Sequence, residues 1–202
     1  TGTTVLTDAD PSAGAKNIFT TTPHLTGQLK AAVFPWNNDH EDYQISSSTN
    51  PTGGSPLKSN GGASTTITNP YYNTNQYGYA AKHNPMAFFT DTATQNLNTF
   101  DQLRANLAAD TVTLSHPTAT NNFGRYNWIT PNVYNDMHST LSTSFTYNGT
   151  TYTGGGQQSI AQGDNFLSQM VPAIMATDAY KNNGAIVLWW DEAEGGDSAT
   201  HT

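Results

Sequence analysis

The sequence predicts an α/β fold, a parallel-rich sheet sandwiched by helices. Three observations carry this. Two short apolar runs, "NWITP" at 127–131 and "IVLWW" at 186–190, have the length and the β-branched and aromatic content of buried strands. A helical stretch, "SIAQGDNFLSQMVPAIMAT", lies between them and gives a strand–loop–helix–strand order. A second amphipathic helix, "NTFDQLRANLAADT", precedes the first run.

In chain order, residues 1–20 read as loop. "TTPHLTGQLKAAV" reads as a helix with Thr22 as cap, Pro23 in its first turn, and Leu25, Leu29 and Ala32 on one face. Phe34 to Tyr79 reads as irregular, and the span of about 46–79 as a long insertion rich in Ser, Asn, Gly, Pro and Tyr. Asn84 and Pro85 open a short helix in "KHNPMAFF", which places His83 just before it. Thr99 and Gln102 form a capping box, with Phe100, Leu103 and Leu107 as the apolar stripe behind it. "RYNWITP" is a strand ended by Pro131, followed by a loop carrying Asn135, Asp136 and His138. Asn148-Gly149 marks a hairpin, "GGG" at 154–156 a loop, and Pro172 a kink or restart in the long helix. Gly184 closes that helical region, and "AIVLWW" follows as a strand.

Composition narrows the function. Acidic residues outnumber Lys and Arg 15 to 7, for a net charge of −8, which argues against nucleic acid as a partner. No cysteine is present, so disulfides and thiolate metal sites are excluded. No apolar run reaches the roughly 18 residues of a transmembrane helix. The polar share is Thr, Asn, Ser and Gly, a composition typical of secreted or periplasmic surfaces. The chain starts at Thr1 rather than Met, which points to a processed N-terminus or a piece of something longer.

In parallel α/β sheets, ligands bind beyond the C-terminal strand ends. Both predicted strands end there in polar clusters: Asn135, Asp136 and His138 after one, Asp191 and Glu192 after the other. Two adjacent carboxylates repel, and a divalent cation resolves the repulsion. An EF-hand is excluded, because Ala193 holds the third position and no Glu the twelfth. His83 and His138 each sit beside a predicted element, whereas His24, His40 and His116 read as structural. The chain lacks G-x-S-x-G, a phosphate loop and HExxH. Ten Tyr, four Trp and Asn-rich loops also suit a non-catalytic carbohydrate-binding or surface protein, the alternative from another class.

"YAAKHNPMAFF", "ITPNVYNDMHS", "QGDNFLSQMVPAIMAT" and "GAIVLWWDEAEGGD" occur in this order and register over residues 79–197. Together they resemble the phosphoesterase family of bacterial acid phosphatases and phosphatidylcholine-cleaving phospholipases C, with an alkaline-phosphatase-like fold. Residues 15–45, including "FPWNNDHEDY", resemble the family's helix before its "W…Y…ED" segment. The resemblance implies that Asp191 and Glu192 bind the catalytic metal, Ca²⁺, Mg²⁺, Mn²⁺ or Zn²⁺. It implies that His83 and His138 face the phosphate ester, as hydrogen-bond donors or as general acid. Asn84 then adjoins the substrate; His201, ten residues beyond Asp191 in a Gly/Asp/Ser/Thr loop, is a substrate-binding candidate from its position alone, with a structural role as the alternative. The family's Glu-Asn pair and its Ser or Thr nucleophile are not found; Thr3, Thr4 and Thr7 lack the nucleophile's context. The resemblance therefore implies that residues 1–202 are the middle-to-late part of one phosphoesterase domain. The expected partner is the N-terminal remainder of the enzyme, and the isolated chain is expected to show weak or no turnover.

Overall fold

A computed structural model describes residues 9–13, 18–20, 23–43, 55–60, 62–63, 76–110 and 123–190. Its elements are α1 (Leu25–Ala31), β1 (Trp36–His40), β2 (Gly62–Ala63), β3 (Gln76–Tyr77), β4 (Leu97–Asn98), α2 (Phe100–Asp110), β5 (Tyr126–Thr130), β6 (Phe145–Tyr147), β7 (Thr150–Tyr152), α3 (Gly155–Met175) and α4 (Asp178–Lys181). Short 3-10 turns at Ala81–His83 and Pro85–Phe88 lie between β3 and β4.

The organising sheet has the order β4-β1-β5 and is parallel throughout. β1 pairs with β5 along its whole length, from Trp36 opposite Tyr126 to His40 opposite Thr130. All three strands therefore deliver their chains to one edge, as the α/β reading requires. The central strand is the unexpected part. "WNNDH" lies inside the span read as irregular, and all five residues are buried. Hydropathy gives no strand signal there, because four of the five side chains are polar. Burial is tolerated because most of those polar atoms find partners. Asn37 donates to Asn127 at 3.2 Å, Asn38 to Asn84 at 3.1 Å, and Asn98 to Asp39 at 2.9 Å.

Alternation along β1 sends Asn38 and His40 to one face and Asp39 and Glu41 to the other. On the Asp39 side, Phe100, Leu103, Leu107, Phe123, Phe166 and Met170 form the main core, with Ile129 packed against them. Helices α2 and α3 supply most of it. On the His40 side lie Tyr43, Tyr79, Ala81 and the two 3-10 turns. Gly124, two residues before β5, lies where a Cβ would come 2.9 Å from the Trp36 backbone, so glycine lets the chain close on β1 at that end.

Several local expectations hold. Thr99 and Gln102 cap α2 reciprocally, at 2.7 and 3.2 Å. Asn84 accepts from Ala87 N–H at 3.3 Å and caps the second 3-10 turn. Asn148 and Gly149, at φ 50° and 78°, make the tight turn between β6 and β7. Others are corrected. His24, not Thr22, caps α1, its ring nitrogen accepting from Gly27 N–H at 3.1 Å. Leu25 faces outward, 52 % exposed. Gly155 and Gly156 open α3 rather than a loop, and the helix runs past Pro172 to Met175 without a restart. Thr177 caps a further short helix, α4. Residues 185–190 join no strand ladder, and Val187, Leu188, Trp189 and Trp190 are exposed. The apolar pattern there is real, but no covering layer meets it among the described residues. Trp189 touches the sheet through Trp128, ring centroids 5.3 Å apart.

Two predictions follow from backbone and charge. The α1 exit is a Schellman motif: Val33 N–H donates to Lys30 O at 3.0 Å, and Phe34 N–H to Leu29 O at 2.8 Å. Its left-handed position, φ 54°, holds a β-branched valine that is 87 % exposed. Val33→Gly is expected to stabilise the fold by about 1 kcal/mol, read as a higher Tm.

Asp39 is the second case. Burial pushes its carboxyl up to about 7, against a smaller downward pull from Asn98. The raised value means that its contribution is full below the unfolded value near 4 and is lost as pH rises through about 7. Thermal unfolding should therefore occur at lower temperature at pH 8 than at pH 5. Asp39→Asn should remove much of that difference, worth on the order of 3 kcal/mol at pH 8.

Candidate functional site

The chains leaving β1 and β5 are tied together at once. Glu41, fully buried, follows β1 and receives Asn132 N–H at 2.9 Å and the Asn135 side-chain amide at 3.0 Å on both oxygens. Asp42, the next residue, accepts from Asn132 Nδ2 at 2.7 Å and from Gly78 N–H at 3.1 Å. Burial, then the charge of Glu41, raise the Asp42 carboxyl well above its usual range, and the two N–H donors pull the other way. These carboxylates hold the loop after β5 against the end of β1. The loop is what carries Asp136 and His138.

His83 approaches from the other side. Its turn is fixed by Asn84, whose Oδ1 accepts from Asn38 Nδ2 and whose own amide donates to Tyr79 Oη at 3.1 Å. Thr130, the last residue of β5, reaches the His83 carbonyl at 3.5 Å. The result is a compact group at the strand-end edge. His83 Nδ1 lies 3.2 Å from Asp136 Oδ2, and the His83 and His138 rings are 6.1 Å apart, edge to face.

Asp136 is the hub of this group. One oxygen accepts His138 N–H at 2.8 Å, and the other faces His83. A carboxylate at Nδ1 keeps the proton on that nitrogen, leaving His83 Nε2 as the nitrogen outside the pair. His83 and Asp136 are about one-fifth exposed, and His138 is more open. Between Asp136 and His138, Met137 takes φ 75° and packs on Gly163 of α3, where a Cβ would lie 2.2 Å from its terminal methyl. The long helix thus abuts the loop at the point where the two site residues diverge.

The sequence-derived assignments divide. His83 and His138, distant in the chain, are brought together. Asn84, next to His83, is fully buried, and its side-chain oxygen and amide are both engaged within the fold. Asp191, Glu192 and His201 lie outside the described residues. Among the described residues no group of three or more His, Asp or Glu side chains is arranged to hold a metal. Asp136 was legible only as part of a polar loop, and its two-way contact depends on a turn that sequence does not display. His40 read as structural, and Asn38 carried no signal at all.

Compared with protein-family models, with curated proteins and with solved structures, the chain matches none.

Asp136→Asn separates the two arms of the hub. The amide oxygen can still accept His138 N–H, while the amide nitrogen would meet His83 Nδ1. The expected result is an intact fold in which the His83 proton moves from Nδ1 to Nε2. Long-range ¹H–¹⁵N NMR of the imidazoles checks this, and an unchanged Nδ1–H form would refute the assigned contact.

Proposed function

We propose that this chain belongs to an alkaline-phosphatase-like phosphoesterase that hydrolyses phosphate esters, of acid phosphatase or phospholipase C type, outside the cytoplasm. The reading includes a phospho-enzyme whose nucleophile lies outside residues 1–202. The observation that supports it most is the meeting of His83 and His138. They come from two separate motifs, stand at the strand-end edge of a parallel sheet, and share Asp136.

Each residue has a definable task in this reading. His83, held through Nδ1, presents Nε2 to the phosphate, and with that nitrogen also protonated, as the imidazolium, it donates to a phosphoryl oxygen or to the leaving group. His138, more exposed, donates to a second oxygen of the tetrahedral group. Asp136 orients the His83 ring with one side-chain oxygen and holds the His138 backbone N–H with the other. A divalent ion held by Asp191 and Glu192 would supply the positive charge that polarises phosphate in so acidic a chain. The path of the preceding residues favours such a site. Trp189 contacts Trp128, whose Nε1 donates to Thr130 at 2.8 Å, and Thr130 in turn supports His83.

Orthovanadate binding tests this without requiring turnover. The His83 and His138 resonances are followed during titration, with and without Mg²⁺, Mn²⁺, Ca²⁺ or Zn²⁺. Both rings should respond, and a metal should strengthen binding. His83→Ala and His138→Ala should each weaken it by about 10- to 100-fold, the worth of a hydrogen bond to a charged group. Asp191→Asn should abolish the metal dependence. Rings silent to vanadate under every condition, together with metal-independent binding of oligosaccharides, would replace this reading with the carbohydrate-binding one.

A further inference from the structure

His40 has an environment that a merely space-filling histidine does not need. It is fully buried at the end of the central strand. Its Nε2–H donates to Asn38 Oδ1 at 2.5 Å. Asn38 Nδ2 donates to Asn84 Oδ1 at 3.1 Å, and Asn84 Nδ2 donates to Tyr79 Oη at 3.1 Å. Tyr79 O–H donates to the Pro56 carbonyl at 2.7 Å. Every link therefore runs in one direction, from the imidazole outward. Neither asparagine can reverse its amide without setting donor against donor or acceptor against acceptor. The backbone sets that direction, because Ala87 N–H can only donate to Asn84 and the Pro56 carbonyl can only accept from Tyr79; His40 completes it as the Nε2–H tautomer, supplying the donor that Asn38 Oδ1 needs.

The chain passes through Asn84, in the turn that presents His83. Asn84 Oδ1 also receives Ala87 N–H, so one oxygen fixes both the strand contact and the cap of the turn. The His40 ring stands edge-on to Tyr79 at 5.6 Å, with its Nδ1 buried and unpaired. Burial pushes the imidazole down to about 3, Asn84 pulls weakly upward, and the charge of nearby His83 pushes it further down. His40 is thus uncharged above about pH 3, a one-proton donor at Nε2.

We propose that His40 is a positioning residue for the candidate site: through Asn38 and Asn84 it fixes the turn that holds His83 against Asp136. The phosphate consequence rests on the function proposed above; the ring geometry does not.

The test compares wild type, His40→Leu and His40→Gln. Leucine removes the donor, and glutamine restores an N–H at similar reach. The readouts are the His83 tautomer by long-range ¹H–¹⁵N NMR and orthovanadate affinity. In His40→Leu the single Nδ1–H form of His83 should give way to a mixture, and vanadate affinity should fall about tenfold. His40→Gln should restore both to within about twofold of wild type. A role in packing alone would lower Tm and leave the His83 tautomer unmoved. An unmoved tautomer in folded His40→Leu overturns the proposal. Should His40→Leu fail to fold, His40→Phe keeps a ring of similar shape and removes the donor to Asn38, and an unmoved His83 tautomer there overturns it equally. Wild type that binds no vanadate would sink the phosphate reading, while the tautomer comparison would still decide the role of His40.

Discussion

Glu41 is the point on which the described structure turns. Parallel strands do not meet through a short connection, so the two chains leaving β1 and β5 need some other tie. Buried Glu41 provides the centre of it, receiving a backbone N–H from Asn132 and the side-chain amide of Asn135, with Asp42 beside it receiving the Asn132 amide. A buried charge of this kind is tolerable only while those donors stay in place. The loop therefore cannot drift from the strand without leaving the charge bare. Asp136 and His138 inherit that restraint, because they follow on the same loop within a few residues.

The same logic runs through the whole central strand. Apolar strands are positioned by shape, and slippage along them costs little until packing fails. A strand reading Asn-Asn-Asp-His is positioned by partners, each of which fits one register. Asn37 has Asn127, Asn38 has Asn84, and Asp39 has Asn98. A one-residue slip would turn each of these groups to the wrong face and leave it unsatisfied. Specificity of this kind has a cost, visible in the unpaired Oδ2 of Asp39 and Nδ1 of His40. The apolar core of α2 and α3 on the far face supplies the burial that offsets it.

What was legible in the sequence follows the same division. Elements that signal through apolar period, capping chemistry or turn residues were readable: α2 with its Thr99–Gln102 box, the Asn148-Gly149 hairpin, β5 before Pro131. The meeting of His83 and His138 was expected from motif resemblance; the parallel pattern by itself joined the His138 loop to Asp191 and Glu192, which lie outside the described residues. Elements that signal only through partners were not. β1 contains one apolar residue, and its partners at Asn84, Asn98 and Asn127 come from three distant segments. No local scan of "WNNDH" reveals them. The opposite error occurred at 185–190, where an apolar run promised a buried strand. Such a run reports that a segment seeks cover, and not where that cover comes from.

The exposed end of that run has an optical consequence. The chain has four tryptophans, and their surroundings differ sharply. Trp36 is buried in β1, Trp128 is half-buried beside the sheet, and Trp189 and Trp190 stand about two-thirds in water. Indole emission moves to the blue when water is excluded from the ring. The long-wavelength part of this protein's fluorescence therefore belongs to Trp189 and Trp190, with Trp128 coupled to it by ring contact. Whatever comes to cover the run, whether more of the same chain, a second copy or another protein, announces itself as a colour change at the segment leading into Asp191.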